Sequence, residues 1–537
     1  MSTAPIWTTF ADRATDQPDA PALVWHDETT TYGELYQLAC RAHAVIDGLD
    51  TEPGEVIGVP ATKSPATIAV VLACLRARRP VMLPSATLPP ATLDQLFAKA
   101  GCAHVVHSRG EGKPFPPWTP QPSGAADDPS KHGSSSAPKS LTTVSLGSGV
   151  PEAHVTTALA LEDDSSVRLP DDIGFVLTTS GSTGLPKLVP LAVGAVERFT
   201  EWAAAQFDIG PGSTVLNYAP LNFDLCFVDV WTTLQHGGQV VLVDPDAATA
   251  GGHLLGLIAD HQVTVVQAVP MCYRLLVDAA ADQSTSVDSV RHAIFTGDHM
   301  PPRCLAELPG LFPRSRLYNI YGCTETNDSF IYEVDLAAMP DGAVPLGTPL
   351  PGVQVLIAGD DDDVVTGEGR GELLVATPFQ TAGYLEHDGG TRTDKFVDRP
   401  DGDRTLPYFR TGHIVRRDAG GHVHLEGRND FQVKVRGTRV NTAEVEQALL
   451  EHDGVLEAAV IAVPDPLAGH LLHSVVQRAP ASSVNSLVLR QHCAERLPKA
   501  AVPSVVRLVD EPLPKTSTGK VDRKALDLVA TAPTPTT

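Results

Sequence analysis

From Ile173 to about Asn319 the chain repeats one pattern, short β-branched apolar runs separated by longer helical stretches. Val215-Leu-Asn-Tyr, Gln239-Val-Val-Leu-Val and Val263-Thr-Val-Val-Gln are strand-like. The first hundred residues alternate in the same way. Thr31 is placed to cap a helix, with Glu34 three residues on. Val56-Ile-Gly-Val reads as a strand, Pro65 to Arg78 as a helix and Pro80-Val-Met-Leu-Pro as a strand. Such alternation calls for a layered α/β core.

The 537 residues suffice for three or four units at about 150 residues each, or fewer where large α/β folds merge them. Forty Lys and Arg stand against 64 Asp and Glu, a net charge of −24. A field of that sign disfavours nucleic acid and anionic membranes, so an anionic ligand needs a local cationic site. The longest apolar stretches, such as Ala69–Leu75 and Val455–Val463, fall far short of the roughly 20 residues of a membrane span. Met1-Ser-Thr-Ala-Pro-Ile-Trp lacks a basic start followed by an apolar run, so no secretory signal is expected. The eight cysteines are scattered, without a CxxC pair or a neighbouring His at metal-ligand spacing. They read as reduced thiols of a cytoplasmic protein.

Composition changes between about residues 108 and 168. Lys113-Pro-Phe-Pro-Pro-Trp and Gly133-Ser-Ser-Ser-Ala-Pro are rich in Pro, Ser and Gly, and the stretch reads as a flexible surface insertion. A last unit begins at Arg428. Phe431-Gln-Val-Lys-Val reads as a strand, Asn441 to Glu451 as a helix, Leu456–Val463 as a strand and Val484 to Leu497 as a helix. This βα pattern over 428–530 suits a small separate domain after a core of 1–427, with 531–537 a frayed tail.

Four segments carry chemistry. In Phe175-Val-Leu-Thr-Thr-Ser-Gly-Ser-Thr-Gly-Leu-Pro-Lys187 an apolar strand runs into a loop of small and hydroxyl residues. Gly181 and Gly184 permit close backbone approach to an oxyanion. Ser180, Ser182 and Thr183 add hydroxyls, and Lys187 adds charge. The GxxxxGK[ST] spacing of a Walker loop is absent, and the segment alone also fits a surface turn. In Tyr318-Asn-Ile-Tyr-Gly-Cys-Thr-Glu-Thr326, Tyr321 can stack on a base, Thr324 can bond a phosphate oxygen and Glu325 can ligate Mg²⁺. Read alone, this segment fits a capped turn better. The third is Tyr408-Phe-Arg-Thr-Gly-His413 followed by Gly427-Arg-Asn-Asp-Phe-Gln-Val-Lys-Val-Arg-Gly437. Its Arg428, Lys434 and Arg436, with Arg439, concentrate positive charge that also fits a solvated strand face. The fourth, Leu513-Pro-Lys-Thr-Ser-Thr-Gly-Lys520, can deliver one ammonium to a distant site or be a basic tail.

In their order and spacing the four segments resemble the adenylate-forming superfamily of acyl-CoA ligases, luciferase-like enzymes and adenylation domains of non-ribosomal peptide synthetases. The resemblance runs from Thr31-Tyr-Gly-Glu-Leu to Lys520 and takes in Gly371-Glu-Leu and Ala382-Gly-Tyr. It implies an α/β fold with a large multi-subdomain N-terminal core of mixed sheets flanked by helices, plus a small mobile α+β C-terminal lid. It implies ATP and Mg²⁺, formation of an acyl-adenylate with release of pyrophosphate, and then attack by a thiol. Thr179, Ser180, Gly181, Ser182, Thr183, Gly184 and Lys187 match its phosphate loop. Thr324 and Glu325 match its phosphate and Mg²⁺ contacts. Tyr321 and Gly322, with Gly297 and Asp298, match the adenine surroundings, Arg428 a ribose contact, Asp430 the hinge and Lys520 the catalytic lysine. One departure matters: the family has Asp after Arg-Thr-Gly, where it holds both ribose hydroxyls, and here His413 stands there.

Leu221-Asn-Phe-Asp-Leu-Cys-Phe-Val-Asp-Val-Trp resembles the segment in which amino-acid-activating members bind the substrate ammonium, and the binding Asp falls on Asp224. The same alignment puts the pocket wall at Leu225, Val228, Met271, Ile294, Thr296, Ile320, Asp328 and Ser329. Asp328 is the odd member of a mostly apolar set, able to pair with a second amine, bond a hydroxyl or cap a turn. No condensation or carrier module is expected within these 537 residues. The implied activity is that of a stand-alone ligase charging the phosphopantetheine of a separate carrier protein with an amino acid or other small carboxylate. The alternative is an acyl- or aryl-CoA ligase with Asp224 incidental. An amine acceptor and a degenerate, non-catalytic member are further readings.

Overall fold

The structure, a computed structural model, describes residues 6–49, 51–52, 54–108, 141–144, 153–157, 168–179, 185–298, 300–340, 344–359, 362–386, 390–428, 432–479, 482–514, 521 and 526. The chain divides into two compact units. The first comprises Met1–Ala86, Leu93–Thr178 and Leu188–Gly427. The second comprises Thr87–Thr92, Thr179–Lys187 and Arg428–Thr537.

The sheet that positions the site belongs to the first unit. Its central strands all run parallel, in the spatial order Arg316–Cys323, His292–Thr296, Val265–Ala268, Thr214–Asn217, Gln239–Leu242, Pro21–Trp25. Antiparallel strands close both edges: Glu28–Thr31 on one side, Asn327–Glu333 and Thr348–Pro349 on the other. The parallel strands are buried nearly throughout, because helices or further layers cover both faces. Ile294, Ile320, Val228, Phe227 and Trp231 pack into the core on one face. Ala293, Phe295, Tyr273 and Leu276 pack into a separate core on the other.

Strand Thr214–Asn217 is followed by a neighbour on one side and then by Val265–Ala268 on the other, so the connections diverge at its carboxyl end. In open α/β sheets that divergence leaves a crevice in which ligands bind.

A second nine-stranded sheet holds Ile173–Thr179 and Lys187–Ala192. The capping box at Thr31 forms as its sequence demands: the Thr31 hydroxyl accepts from Glu34 N and the Glu34 carboxylate accepts from Thr31 N, opening helix Tyr32–Asp47. Most of the region read as a flexible insertion lies outside the described residues. Its Leu141–Val144 and Ala153–Thr157 are strands that continue this sheet beyond His104–Ser108. Runs such as Leu-Thr-Thr-Val suit a pleated surface despite the Pro- and Ser-rich composition around them. A third, five-stranded sheet includes Gly369–Ala376 and Arg404–Arg417.

The second unit contains the hairpin Gln432–Val435/Thr438–Asn441, helix Thr442–Leu450, and a sheet of Val455–Asp465, Gly469–Arg478 and Val505–Val509. The hairpin turns on Arg436 and Gly437, with φ of 51° and 77°, the left-handed pair a two-residue turn needs. The helix expected from Val484 starts at Ser486, because Asn485 caps it by accepting from Val488 N. All eight cysteines are free thiols. No described helix is long and apolar enough to cross a membrane.

Candidate active site

Every amino-acid-binding residue anticipated on the parallel strands falls at or just beyond a carboxyl end. Asp224 and Leu225 follow Thr214–Asn217, Met271 follows Val265–Ala268, and Ile294 and Thr296 close His292–Thr296. Ile320 lies in the next strand, with Thr296 as its register partner. Side chains two apart on a strand share a face. Asn217, Gln267, Ile294 and Tyr318 form one cross-strand row, and Thr296 and Ile320 lie one step further on. Val228, Ile294 and Ile320 belong to one core, with Leu225 packed against it. Met271 is partly buried at the start of its helix.

Asp224 sits in a tight turn. Phe227 N donates to its carbonyl at 2.9 Å, and Cys226 N donates to Phe223 O at 3.1 Å. The turn leads into a π-helical segment, Phe227–Thr232, braced by Thr232 Oγ1 donating to Phe227 O at 2.7 Å. Such segments are uncommon and recur at functional sites.

Asp328 lies opposite, in the antiparallel strand, where Gly322 is its register partner at a β-bulge. A Cβ on Gly322 would lie 2.4 Å from Asn327 O, so only glycine lets the strands close there. Asn327 takes φ of 57°, and its side chain accepts from Asp328 N at 3.0 Å. Burial, and then the negative charge of Asp224, push the Asp328 carboxyl up to about 8. The two acids therefore sense one another. Ser329, the last anticipated wall residue, is fully buried, its hydroxyl 3.3 Å from Thr326 Oγ1.

Two of the residues anticipated for the nucleotide, Thr324 and Glu325, lie in the turn Thr324–Thr326. Glu325 is buried and accepts from the Tyr384 hydroxyl at 2.7 Å. The turn's backbone is held by Thr381 N donating to Glu325 O at 2.9 Å and by Thr377 Oγ1 donating to Thr326 O at 2.9 Å. Thr324 is half-buried in the same turn. Gly297, with φ of 86°, ends strand His292–Thr296 and is followed by Asp298.

Tyr321 does not stand alone as a stacking ring. Its hydroxyl hydrogen-bonds Nδ1 of His413, and the rings meet edge to face at 5.3 Å. His413 is positioned by the preceding Arg-Thr-Gly. Arg410 donates twice to Glu372 Oε2, Gly412 N donates to Glu372 Oε1 at 3.0 Å, and Thr411 Oγ1 donates to Leu373 O at 2.7 Å. Gly412 takes φ of 73°.

Thr179 is the last residue of its strand and Lys187 the first of the next. Arg428 ends strand Val423–Arg428. Ser180, Gly181, Ser182, Thr183, Gly184, Asp430 and Lys520 lie outside the described residues.

Residues 10–385 match the family of AMP-binding enzymes, and residues 444–520 match the AMP-binding enzyme C-terminal domain. The chain is an AMP-binding enzyme. An L-proline–[L-prolyl-carrier protein] ligase of Pseudomonas fluorescens is 34% identical over 66% of this chain and 68% of its own length. A ligase of the same name from Streptomyces coelicolor is 31% identical over 97% of this chain and 95% of its own. Among solved structures, the amide bond synthetase McbA of Marinactinospora thermotolerans superposes with a TM-score of 0.76 at 23% identity, covering 97% of this chain and 99% of McbA, a likeness of fold. As an AMP-binding enzyme of this kind, the chain is an AMP-forming adenylating ligase.

Sequence reasoning passed over several residues of this AMP-binding enzyme. Tyr384 and Glu372 lay in the quoted Ala382-Gly-Tyr and Gly371-Glu-Leu pieces without a role. Lys63, Asn217, Asp229 and Gln267 drew no attention. The available signal was a lone charge inside an apolar run, as with Asp229 in Cys-Phe-Val-Asp-Val-Trp. A charged residue so placed is rarely fully buried unless paired.

Proposed function

We propose that this ligase activates an amino acid of the proline class as its aminoacyl-adenylate and loads it onto the phosphopantetheine thiol of a separate carrier protein. The observation that carries the reading is Asp224, set at the diverging strand ends beside an apolar wall, where a carboxylate suits a substrate ammonium. The two curated relatives named for L-proline and a prolyl-carrier protein support the same substrate class and acceptor. Asp328 is compatible with such a substrate because its raised pKa keeps it protonated near neutral pH. It then offers a neutral hydroxyl to the pocket, not a second charge.

ATP and the amino-acid carboxylate are both anions, and the reaction needs their repulsion relieved. Glu325 would hold Mg²⁺. A single carboxylate suits this ion, which keeps several waters and takes phosphate oxygens as further ligands. Bound there, the metal would neutralise phosphate charge. Thr324, Thr179, Lys187 and the loop Ser180–Gly184 would bind phosphate oxygens, and Tyr321, Gly322, Gly297 and Asp298 would line the adenine. His413 and Arg428 would approach the ribose. Lys520 would neutralise charge between the carboxylate and the α-phosphate, and Asp430 would serve as the hinge between the two half-reactions.

The test is amino-acid-dependent ATP–pyrophosphate exchange with L-proline, other amino acids and their des-amino analogues, followed by loading assays with carrier protein, CoA and amine acceptors. Exchange confined to amino acids, with transfer to carrier protein, is the expected result. Equal exchange with des-amino acids and transfer to CoA would establish the acyl-CoA ligase instead.

A further inference from the structure

Directly behind the Asp224 turn lies a buried polar cluster to which the family match assigns nothing. Asp229 is wholly buried, as is Asn217, and Gln267 is 1% exposed. Asn217 and Gln267 are register partners on the two strands that flank the divergence. Their amides converge on one carboxylate: Asn217 Nδ2 lies 3.2 Å from Asp229 Oδ2, and Gln267 Nε2 lies 3.2 Å from Asp229 Oδ1. Lys63, 4% exposed, donates to the carbonyls of Asn217 at 3.0 Å and Tyr218 at 3.2 Å, where that strand ends. Burial lowers the Lys63 ammonium to about 8, with nearby Cys226 and Asp229 acting to raise it. Burial also raises Asp229 well above the usual carboxylate range, opposed by the Asn217 bond and the Lys63 charge.

Such a cluster is costly to desolvate, and apolar side chains of similar volume serve stability as well or better. What it does here is local. Gln267 Nε2 also donates to Leu225 O at 2.9 Å, and the same oxygen accepts from Val228 N at 3.1 Å and Asp229 N at 3.2 Å. Leu225 is bonded directly to Asp224. Asp229 thus fixes the Gln267 amide, and the amide fixes the carbonyl of the residue that follows Asp224 in the turn. A second brace comes from Asn217 Nδ2, which donates to Ala219 O at 3.2 Å at the start of the same loop.

We propose that Gln267 and Asp229, backed by Lys63, are positioning residues that hold the Asp224 carboxylate for the substrate ammonium and so set affinity for the amino acid. The inference rests on the amino-acid reading of Asp224.

The test is pyrophosphate exchange with Gln267→Met, which keeps the length of the side chain and removes its donor. The KM for the amino acid should rise about ten-fold or more, while the KM for ATP stays within two-fold, because the nucleotide-side turn is held by other bonds. In an Asp224→Asn background the same change should have little further effect, because the residue it positions has already lost its charge. Gln267→Asn keeps the amide but shortens its reach by one carbon. It should shift the same constant in the same direction by less, and it serves if the Met variant does not fold. An unchanged amino-acid KM, a parallel rise in both constants, or a full additional loss in the Asp224→Asn background would overturn the proposal. Failure of the amino-acid reading is visible separately, in wild-type enzyme that exchanges equally well with the des-amino acid.

Discussion

The turns proposed for the amino acid and for the nucleotide border one sheet but are built differently. The Asp224 turn is backed by a wholly buried acid, a nearly buried lysine and two amides on paired strands. The Thr324–Thr326 turn is held by hydroxyls and backbone amides from residues 377–384, with Tyr384 on Glu325. Buried charge is an expensive means of fixing geometry, and its best-attested use is to specify one arrangement. A substrate ammonium must be met in one place to be told from its absence, whereas phosphates are gripped through many contacts. On the function proposed above, the contrast would put specificity at the Asp224 turn and charge neutralisation at the Thr324–Thr326 turn.

The comparison breaks most sharply at Asp224. Asp224→Ala leaves a buried ammonium without an anion, a loss of roughly 3–5 kcal/mol. Amino-acid-dependent exchange should fall by hundreds-fold or more, with ATP KM little changed. Activity preserved within a few-fold would remove the amino-acid side from specificity altogether.

Lys520→Ala tests the charge term apart from both turns. Adenylation should drop about 100-fold, the scale of losing one transition-state donor. Thioester formation from chemically made aminoacyl-adenylate should proceed at near wild-type rate. Equal loss in both half-reactions would refute a lysine that serves adenylation alone.

On the nucleotide side, the His413 ring commits Nδ1 to Tyr321, so at most Nε2 can meet a ribose hydroxyl. A carboxylate could accept from both. His413→Asp should therefore lower the KM for ATP about three-fold or more, read by exchange at saturating amino acid. A rise would show that the Tyr321–His413 pair is itself the nucleotide contact.

The smallest effect concerns Asp328. Its folded-state pKa of about 8 exceeds the ordinary value near 3.9, so the folded protein holds a proton that the unfolded chain has released between those pH values. That contribution to stability is complete below about pH 4 and is lost as pH rises through 8. Asp328→Asn should remove this dependence. Its melting temperature relative to wild type should climb between pH 4 and 8, by up to about 5 °C, and level off above. A difference that stays flat with pH would mean that Asp328 is ionised in the folded enzyme.

Much of this was legible because it is local. Thr31 and Glu34 announce their own capping box, and the β-branched runs at 239–243 and 263–267 announce strands. Asp224 was proposed only through the resemblance of the segment around it. The strands at 141–144 and 153–157 were not legible, because their composition resembles loop and only pairing with His104–Ser108 makes them sheet. Asp229 stood in the same quoted segment as Asp224 and said nothing alone. Its meaning depends on Lys63 and Gln267, which lie far from it in the chain.

From its residues alone the chain commits to alternating strands and helices, and its motifs resemble those of adenylate-forming enzymes. These follow from periodicity, side-chain chemistry and spacing, which neighbouring residues carry themselves. Which strand lies beside which was decided only by tertiary packing, and with it the crevice beyond Asn217 and Gln267, the influence of the Asp224 charge on Asp328, and the pairing of Tyr321 with His413. Interactions between residues distant in sequence depend on burial and sheet register, and neither is a property of any single segment.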